Sequence, residues 1–281
     1  MKSQVTAVKN LDAAIRHHPT GKQQPWKTWG RIASHQLRAI GGRSYRHAWV
    51  DDSVLVVTRG ALGLTGNVYF GLHEYWDMCF LLDFLRPEDL FVDGGANAGS
   101  YTVLAGKACG STVLAIEPGH EALSQLFRNL RANHLENSVK VVALALADTA
   151  GTVHFGIGTS TINAVAKSDT GLQIGAITLD ELCAGRKPVL IKLDLEGGEL
   201  SALQGAAQVL SNPSLQALLV EDPSAEVCSI LTENGFAQFQ YNPDSRTLVL
   251  GERRGNNAIW VRSASLDSVL SRLKSARGLR A

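Results

Sequence analysis

The sequence is poor in the features that assign a chain to a special class of protein. None of its apolar runs reaches the ~18 residues that a membrane-spanning helix needs, and its N-terminus contains no apolar block typical of a secretory signal. Its four cysteines never form a C-x-x-C pair, so the sequence indicates neither a zinc site nor a disulfide framework. We therefore expect a soluble, cytoplasmic protein with reduced thiols.

The net charge is also small, +1 in 281 residues, but the charged residues are unevenly distributed. Residues 1–46 carry nine Lys/Arg and a single acid, Asp12, and residues 262–281 carry five basic residues and one acid. The body between them is acidic. Basic ends of this kind bind a polyanion, a membrane surface or the acidic body itself, although solvated faces of terminal helices are the more frequent case. No nucleic-acid-binding module accompanies them, so we expect no nucleic-acid partner.

Apolar segments of strand length alternate with amphipathic helical segments through most of the chain. The helical segments include 120–134 and 199–210, each of which places leucines on one face. Continuous apolar strands separated by such helices are typical of a parallel sheet covered on both faces, so we predict a doubly wound α/β fold. The predicted strands are 89–94, 111–117, 139–146, 188–194, 215–221 and 257–262, with a further strand at 151–157 in a hairpin.

The ends of the chain and one internal segment lie outside this alternation. Trp26 and Trp29 are expected to pack the basic N-terminal segment onto the core. The polar segment 158–177 is long for a connector, and long loops in α/β domains often act as lids or bind substrate. The predicted division is an N-terminal helical and β extension over 1–65, a main domain over 66–262 and an amphipathic C-terminal helix within 263–281.

A glycine-rich turn follows the first predicted strand of the sheet. The stretch DGGANAG places Gly94 and Gly95 in a tight turn and Gly99 where the next helix approaches closely. Ligands in such sheets bind at the carboxyl ends of the strands, where this turn lies. Glu117 ends the second strand, in the position of the acid that binds the ribose hydroxyls of an adenosine-containing cofactor. Both NAD and S-adenosylmethionine contain that ribose.

Asp93, the acid that opens the turn, separates these two cofactors. The pyrophosphate of NAD is negatively charged and binds bare backbone N–H groups, which an adjacent carboxylate would oppose. The spacing of the glycines also departs from G-x-G-x-x-G. S-adenosylmethionine has a sulfonium and an ammonium group, which a carboxylate complements. The turn therefore favours S-adenosylmethionine, with an NAD-dependent oxidoreductase and a non-catalytic binding module as the alternatives.

A second group of acids follows the fourth predicted strand, in LIKLDLEGGELSALQGA. Asp194 and Glu196 are placed beside the glycine turn, while Glu199 falls in the first turn of the next helix, where the helix dipole favours an acid. Carboxylates at this edge can accept a proton from a substrate, and Asp194 and Glu196 are the candidates for a general base. Two carboxylates do not define a metal site, and we predict none. The weaker alternatives for the base are His73, His120 and His154.

The turn and the second acidic group belong to four blocks that resemble the FkbM-type methyltransferases, a family within the class I S-adenosylmethionine-dependent methyltransferases. The resemblance implies a Rossmann-like, mostly parallel sheet of seven strands. It also implies an enzyme that O-methylates a hydroxyl group of a small-molecule or glycan acceptor, such as a sugar or a secondary metabolite. A homo-oligomer is left open. The four blocks are 71–102, 115–130, 178–182 and 191–206.

The same resemblance implies which residues hold the cofactor. The residues expected to bind S-adenosyl-L-methionine are Glu74, Asp93, Gly95, Asn97, Gly99, Glu117 and Asp194. Of these, Asp194 would lie near the reacting methyl group, Glu117 on the ribose and Glu74 near the amino-acid end. The chain departs from the family pattern at Gly94, where valine or isoleucine is common, and we expect a looser turn there.

Overall fold

The structure is a computed structural model that describes residues 2–58, 63–155, 172–221, 223–251 and 253–276. An N-terminal extension of helices and a two-stranded antiparallel hairpin precedes the main domain. The first elements are α1 (Lys2–His17), α2 (Pro19–Gln23), α3 (Pro25–Arg38), β1 (Tyr45–Ala48), β2 (Val54–Val57), α4 (Thr65–Phe70) and α5 (Tyr75–Phe84). Proline begins both α2 and α3 because its fixed φ suits the first helical turn and disfavours a helix that would run through it.

The main domain alternates strands and helices. Its strands are β3 (Leu90–Gly94), β4 (Thr112–Ile116), β5 (Val139–Val142), β6 (Ala145–Leu146), β7 (Gly151–Phe155), β8 (Leu172–Ile177), β9 (Pro188–Leu193), β10 (Ala217–Glu221), β11 (Phe236–Asn242), β12 (Thr247–Leu250) and β13 (Asn257–Arg262). Its helices are α6 (Ser100–Val103), α7 (His120–Asn133), α8 (Leu179–Leu182), α9 (Glu199–Gln204), α10 (Ala207–Ser211), α11 (Ala225–Glu233) and α12 (Leu266–Lys274). Among the described residues, no helix has the length and apolar character needed to cross a bilayer.

Eight strands form the main sheet, in the order β12-β11-β13-β10-β9-β3-β4-β5. The strands from β10 to β5 pair in parallel, and β13, β11 and β12 join by antiparallel pairing. The predicted doubly wound α/β class is confirmed, with eight strands where seven were expected. The edge strand β12 arises from a local turn, in which the Asn242 side chain accepts the backbone N–H groups of Asp244 and Ser245 at 3.0 and 3.3 Å.

Two predicted elements are divided in the structure. The apolar run 139–146 becomes β5 in the main sheet and β6 in a separate three-stranded sheet of order β6-β8-β7. The helical run 199–210 becomes α9 and α10, which meet at Gly205. A Cβ at Gly205 would lie 2.5 Å from the carbonyl oxygen of Ala147, so this close approach to the chain after β6 requires glycine.

The strand predicted at 151–157 is present as β7, and it pairs with a strand inside the segment that we assigned to a long loop. Residues 172–177 form β8, which pairs antiparallel with β7. The loop assignment over 158–177 is therefore wrong for its last six residues, LQIGAI, an apolar stretch that directly follows the polar part of the segment. Residues 156–171 lie outside the described residues, and the role of a lid stays a prediction.

The core lies on both faces of the main sheet. Phe91 of β3 packs with Phe80 of α5 in one layer, and its neighbour Val92 packs with Leu203 of α9 in the other. Successive residues of a strand point to opposite faces, and here both faces are buried. This arrangement explains why the parallel strands are continuously apolar and why all polar groups at their carboxyl ends gather at one edge.

Asparagine side chains of α7 attach the extension to the main domain. Asn133 accepts the N–H of Val54 and donates to its carbonyl oxygen, both at 2.7 Å. Asn129, one helical turn earlier, accepts the N–H of Val56 and donates to the carbonyl oxygen of Ala98, again at 2.7 Å. The two amides complete the free edge of β2 as a neighbouring strand would. Asn129 thereby connects the extension to the glycine-rich turn.

Of the two tryptophans expected to pack the extension onto the core, only Trp29 does so. It lies against a small cluster formed by Ile15, Ile32 and Phe70. Trp26 is 86% exposed, so its expected packing is wrong. The helical geometry of α3 places Trp26 opposite the buried His35, and a single helix cannot bury both faces against one neighbour.

Candidate active site

The turn after β3 has glycine at two positions where a side chain would not fit. Gly95 has a φ of +76°, and a Cβ there would overlap the backbone carbonyl oxygen of Asp194. Gly99, with a φ of +88°, begins α6, and a Cβ there would overlap the side chain of Leu126. The N–H groups of Gly95 and the next residue both donate to the carbonyl oxygen of Ile116, at 3.0 and 2.9 Å. The turn therefore joins the ends of β3, β4 and β9.

Gly94, the departure from the family pattern, is also tightly packed. It is the last residue of β3, and a Cβ there would lie 2.9 Å both from the carbonyl oxygen of Lys192 and from the side chain of Leu146. The expectation of a looser turn is wrong. Glycine at this position lets β9 approach β3 closely.

Glu117 organises the turn from the end of β4. Its side chain is buried; one carboxylate oxygen accepts the N–H of Asn97 at 2.8 Å and the other accepts the N–H of Gly119 at 2.7 Å. Burial raises the pKa of Glu117, and these two hydrogen bonds oppose that shift. Each carboxylate oxygen can accept a further bond, so Glu117 retains capacity for a hydroxyl group of a ligand.

Asp93 lies beneath the turn, not at its entrance. It has no exposed surface, and one carboxylate oxygen accepts the hydroxyl of Thr102 at 2.6 Å. Within the described part of the chain, the other oxygen has no hydrogen-bond partner. Burial raises the pKa of Asp93, while the nearby ammonium group of Lys192 lowers it. A fully buried carboxylate with an unpaired oxygen is costly and favours a cationic or hydrogen-bond-donating ligand beside it.

Lys192 is the buried cation of this region. Its side chain is 2% exposed, its Nζ donates to Asp194 at 2.6 Å, and it lies 4.7 Å from the centre of the Tyr101 ring. Burial alone would lower the pKa of Lys192, but the carboxylates of Asp194 and Asp93 raise it above its ordinary value. Lys192 is therefore charged, and it holds Asp194 in one orientation.

Asp194 faces a second carboxylate, Glu221, at the end of the adjacent strand β10. Burial would raise the pKa of Asp194, but the ion pair with Lys192 and a hydrogen bond from Glu221 lower it below its ordinary value. The pKa of Glu221 is raised to about 8 by burial, by the hydrogen bond that Glu221 forms with Asp194 and by the negative charge of Asp194. Near neutral pH the pair therefore shares one proton, which Glu221 holds.

Glu196 lies on the exposed side of this pair. Its φ is +53°, and its carboxylate lies with those of Asp194 and Glu221, with ligand oxygens within 4.8 Å of one another. Carboxylates this close suit a hard cation, but the ion pair of Asp194 and the shared proton account for the arrangement without one. An open pocket of about 430 Å³ adjoins them, lined by Glu196, Gly197, Glu199, Glu221, Arg253, Gly255 and Asn256.

Glu199 stabilises the loop and has no exposed carboxylate to offer. It is buried, and one of its oxygens accepts the N–H of Leu195 at 2.7 Å. Burial raises the pKa of Glu199, and hydrogen bonds from backbone N–H groups oppose the shift. Its position in the first turn of α9 agrees with the helix-start role considered from the sequence.

Glu74, the residue that precedes α5, also lies at the site. Its carboxylate accepts the hydroxyl of Tyr101 and, at 3.2 Å, the side-chain N–H of Asn257. Asp77, one helical turn later, is 1% exposed and accepts the backbone and side-chain N–H groups of Asn257 at 3.0 and 3.2 Å with a single oxygen. Burial raises the pKa of Asp77 to about 7, and its second oxygen has no partner among the described residues.

The three histidines considered as alternative bases do not line the pocket. His73 is stacked on Phe70 with ring centres 6.1 Å apart. His120 begins α7 with an exposed side chain, and His154 lies in the small sheet near Gln173. The pocket is lined by carboxylates, an amide and an arginine.

The structure brings the predicted acids together and adds residues that sequence reasoning missed. We refer to the buried and half-buried charged residues around the glycine turn as the acidic crevice: Glu74, Asp77, Asp93, Lys192, Asp194 and Glu221. Lys192 was detectable as a lysine inside an apolar strand, a position that requires a carboxylate partner. Glu221 ends the fifth predicted strand, so the rule that selected Asp194 also applies to it. Asp77 was detectable in the same way as Lys192, as an acid inside an apolar helix.

Comparison with known families identifies the architecture around these residues. The family described as "Methyltransferase FkbM domain" matches residues 93–245, just over half of the chain. The chain belongs to the FkbM methyltransferase family. The matched region of this family member begins at Asp93 and includes Glu117, Asp194 and Glu221. The N-terminal extension, Glu74 and β13 lie outside it.

Individual relatives of this FkbM methyltransferase are distant. The chain is 27% identical over 163 residues to the hexuronic acid methyltransferase AglP of Haloferax volcanii, a match of 54% of this chain and 65% of that protein, slightly under two thirds of its length. An rRNA methylase from Streptococcus thermophilus has 16% identity and a TM-score of 0.39, over 66% of this chain and 91% of its own. A transferase structure from Pyrococcus horikoshii has 13% identity and a TM-score of 0.45, over 85% of this chain and 83% of its own.

Proposed function

We propose that this FkbM methyltransferase transfers the methyl group of S-adenosylmethionine to a hydroxyl group of a sugar-containing acceptor. The observation that carries the proposal is the excess of carboxyl groups over cations in the acidic crevice. Its five carboxyl groups, two of them buried and three half-buried, interact with a single ammonium group, that of Lys192. Buried charge of one sign is costly unless a ligand compensates it, and a ligand with a sulfonium and an ammonium group would do so.

The chain's own residues fit such a cofactor. Gly95 and Gly99 leave the turn free of side chains, and Glu117 retains acceptor capacity for the ribose hydroxyls. The unpaired oxygen of Asp93 and the carboxylate of Glu74 favour the cationic amino-acid end. The same carboxylates oppose the pyrophosphate of NAD, which makes the dehydrogenase alternative the weaker one. When bound, S-adenosylmethionine supplies a methyl group activated by the sulfonium.

The carboxylate pair at the pocket is suited to take up the proton of the acceptor. In the proposed reaction the hydroxyl oxygen attacks the methyl carbon, the carbon–sulfur bond breaks with its electrons on sulfur, and the hydroxyl proton passes to a carboxylate. The ion pair with Lys192 makes Asp194 a weak base and fixes its orientation. Glu221 is the stronger base once deprotonated, since its pKa is raised to about 8. We therefore extend the sequence-based assignment of Asp194 and Glu196 to include Glu221.

The pocket favours a polyhydroxylated acceptor. Its lining provides carboxylate oxygens and the amide of Asn256, groups that bind sugar hydroxyls through hydrogen bonds. The distant relative AglP is named a hexuronic acid methyltransferase, which supports a sugar acceptor. Arg253 on the pocket wall supplies one positive charge for an acceptor that carries a carboxylate. The expected cytoplasmic location, the absence of a nucleic-acid partner and the oligomeric state stay predictions.

Calorimetry on the full chain tests the cofactor. We expect S-adenosylmethionine to bind and NAD to give no heat at the same concentration. Asp93→Asn should weaken binding about tenfold, because it removes a negative charge next to a cationic ligand. The exposed Asp52→Asn is the control, with unchanged affinity. Binding of NAD in place of S-adenosylmethionine would overturn the proposal.

A pH profile of methyl transfer to a panel of sugars tests the proton acceptor. A base must be deprotonated, so kcat/KM should rise with pH and level off above about 8. Glu221→Gln should lower kcat by about 100-fold and remove that rise, whereas Glu136→Gln, an exposed change, should leave the profile intact. A Glu221→Gln enzyme with the original rate and profile would exclude Glu221 as the acceptor.

A further inference from the structure

The exposed face of α3 and the turn that follows it form a continuous apolar row. Trp26 is 86% exposed, Leu37 68% and Ile40 63%. The row includes two small residues and follows helical spacing, with members at 26, 30, 33, 37 and 40. We call these residues the outer stripe: Trp26, Gly30, Ala33, Leu37 and Ile40. Such a row of large exposed apolar side chains marks an interaction surface.

The outer stripe lies opposite the face with which α3 is attached to the rest of the protein. Thr28, Ile32, His35 and Ala39 are buried, and α3 packs mainly against α4. The exposed position of the stripe is therefore fixed by a well-packed inner face. Among the described residues, no segment covers the three large side chains of the stripe.

Basic residues flank the stripe along one side. Lys27, Arg31 and Arg38 are all exposed and follow one another at helical spacing. Asp12 is the only acid among residues 1–46, and it already forms an ion pair with Arg16 at 2.7 Å. The positive charge beside the stripe is therefore not neutralised within its own segment. Further exposed basic residues at the two ends are Lys22, Arg43 and Arg46.

We propose that the outer stripe and its basic flank dock the protein onto an anionic lipid bilayer. A helix that lies in a membrane interface buries Trp and Leu side chains among the acyl chains and keeps Lys and Arg at the level of the headgroups. The charge of the segment complements anionic lipids, whose surface potential attracts clustered basic residues. A second copy of the chain fits less well, because a two-fold interface would place one basic flank against the other.

The docking surface is firmly connected to the candidate active site. The His18 ring, in the link between α1 and α2, is stacked on Phe70 of α4 with ring centres 4.2 Å apart. It also forms hydrogen bonds with the carbonyl oxygens of Leu72 and His73, at 2.9 and 3.1 Å. These residues immediately precede Glu74. The docking proposal does not depend on methyl transfer.

Co-sedimentation of the full chain with lipid vesicles tests the proposal. We expect binding to phosphatidylcholine vesicles that contain about one third phosphatidylglycerol, and little binding to phosphatidylcholine alone. Trp26→Ser with Leu37→Ser should weaken the binding at least about tenfold, since it removes the side chains that insert. The matched control is Val249→Ser with Leu250→Ser, two exposed apolar residues of β12 whose replacement should leave binding unchanged.

A second pair of variants tests the charge separately. Lys27→Glu with Arg43→Glu should reduce binding to the anionic vesicles about tenfold, and added salt should reduce wild-type binding in the same direction. Lys140→Glu with Lys187→Glu, exposed elsewhere, is the control. Size-exclusion chromatography without lipid completes the test. No binding to anionic vesicles, or a dimer that Trp26→Ser with Leu37→Ser dissociates, would overturn the proposal in favour of a protein partner.

Discussion

The acidic crevice and the basic flank of the outer stripe carry charges of opposite sign, and they differ in how far those charges are exposed to solvent. In the crevice, Lys192 and Asp93 are buried, Asp194 is half-buried, and each charge depends on a particular nearby partner. Around the stripe the cations are exposed to solvent, and their contacts, such as that of Arg38 with the face of the Tyr45 ring, lie at the surface. Burial therefore converts a charge into a structural requirement, whereas exposure leaves it available for a partner. Substitutions in the two regions should differ accordingly in size.

The largest effect is expected where the crevice permits no side chain at all. Gly95→Ala would combine a positive φ with an overlap between Cβ and the carbonyl oxygen of Asp194. We expect a loss of about 4 kcal/mol or more in the free energy of unfolding, measured by urea denaturation, and no detectable cofactor binding. Gly185→Ala is the matched control, since Gly185 has a φ of +69° and no heavy atom within 4 Å of a Cβ. It should cost only about 1 kcal/mol, and equal losses would contradict the overlap.

Removal of the buried cation should have the next largest effect. Lys192→Met leaves Asp93 and Asp194 buried without their positive partner, at a cost of about 3 kcal/mol in the free energy of unfolding. Without Lys192, folding raises the pKa of these carboxylates above their unfolded values, so the variant loses stability as pH rises. The deficit should therefore be larger at pH 8 than at pH 5, whereas the exposed Lys187→Met should show no deficit. A pH-independent loss would indicate packing alone.

Neutralisation of the buried acid Asp77 should increase the stability of the folded protein. The pKa of Asp77 is about 7 in the folded protein against 3.8 in its unperturbed state, so the folded protein loses stability as pH rises between these values. Asp77→Asn removes this cost and keeps an oxygen for the N–H of Asn257. We expect about 2 kcal/mol of added stability at pH 8 and little at pH 4, measured by thermal unfolding. An equal gain at both pH values would refute the explanation.

The smallest effect on stability is expected on the outer stripe. Trp26→Ser should change the free energy of unfolding by no more than about 0.5 kcal/mol, because its side chain is 86% exposed. Trp29→Ser, in the cluster with Ile32 and Phe70, should destabilise clearly more. Thermal unfolding without lipid compares the two, and a large loss for Trp26→Ser would show that the stripe is covered in solution.

The sequence allowed the positions of the acidic groups to be predicted, but not their protonation states. The carboxyl ends of parallel strands meet at one edge, so the convergence of Asp93, Glu117 and Asp194 followed from strand prediction alone. Lys192 and Asp194 are two residues apart at the end of β9, so their pairing follows from local spacing, whereas the proton on Glu221 depends on a distance across strands that no local pattern encodes. Electrostatic roles could therefore be assigned only after the side chains had been placed.

The errors in the predicted fold also arise from features that a local sequence pattern does not encode. The break of the helical run 199–210 coincides with the close approach of Gly205 to Ala147, which is distant in sequence. Strand β8 was missed because it directly follows a polar segment and was assigned to the same loop. The division at residue 65 stays a prediction, since β2 is joined to α7 as closely as a strand to its neighbour.

The asparagine pair on α7 has a consequence for shortened versions of the protein. Asn129 satisfies β2 with one end of its amide and the carbonyl of Ala98 in the glycine-rich turn with the other. Deletion of residues 1–65 would therefore leave the side-chain oxygen of Asn129 without its donor, next to the turn. No residue of the matched family region is removed by this deletion. The extension thus supports the ligand-binding edge of the sheet from outside it. We expect a truncated enzyme to lose rigidity in the glycine-rich turn, where the ligand has to be held in position.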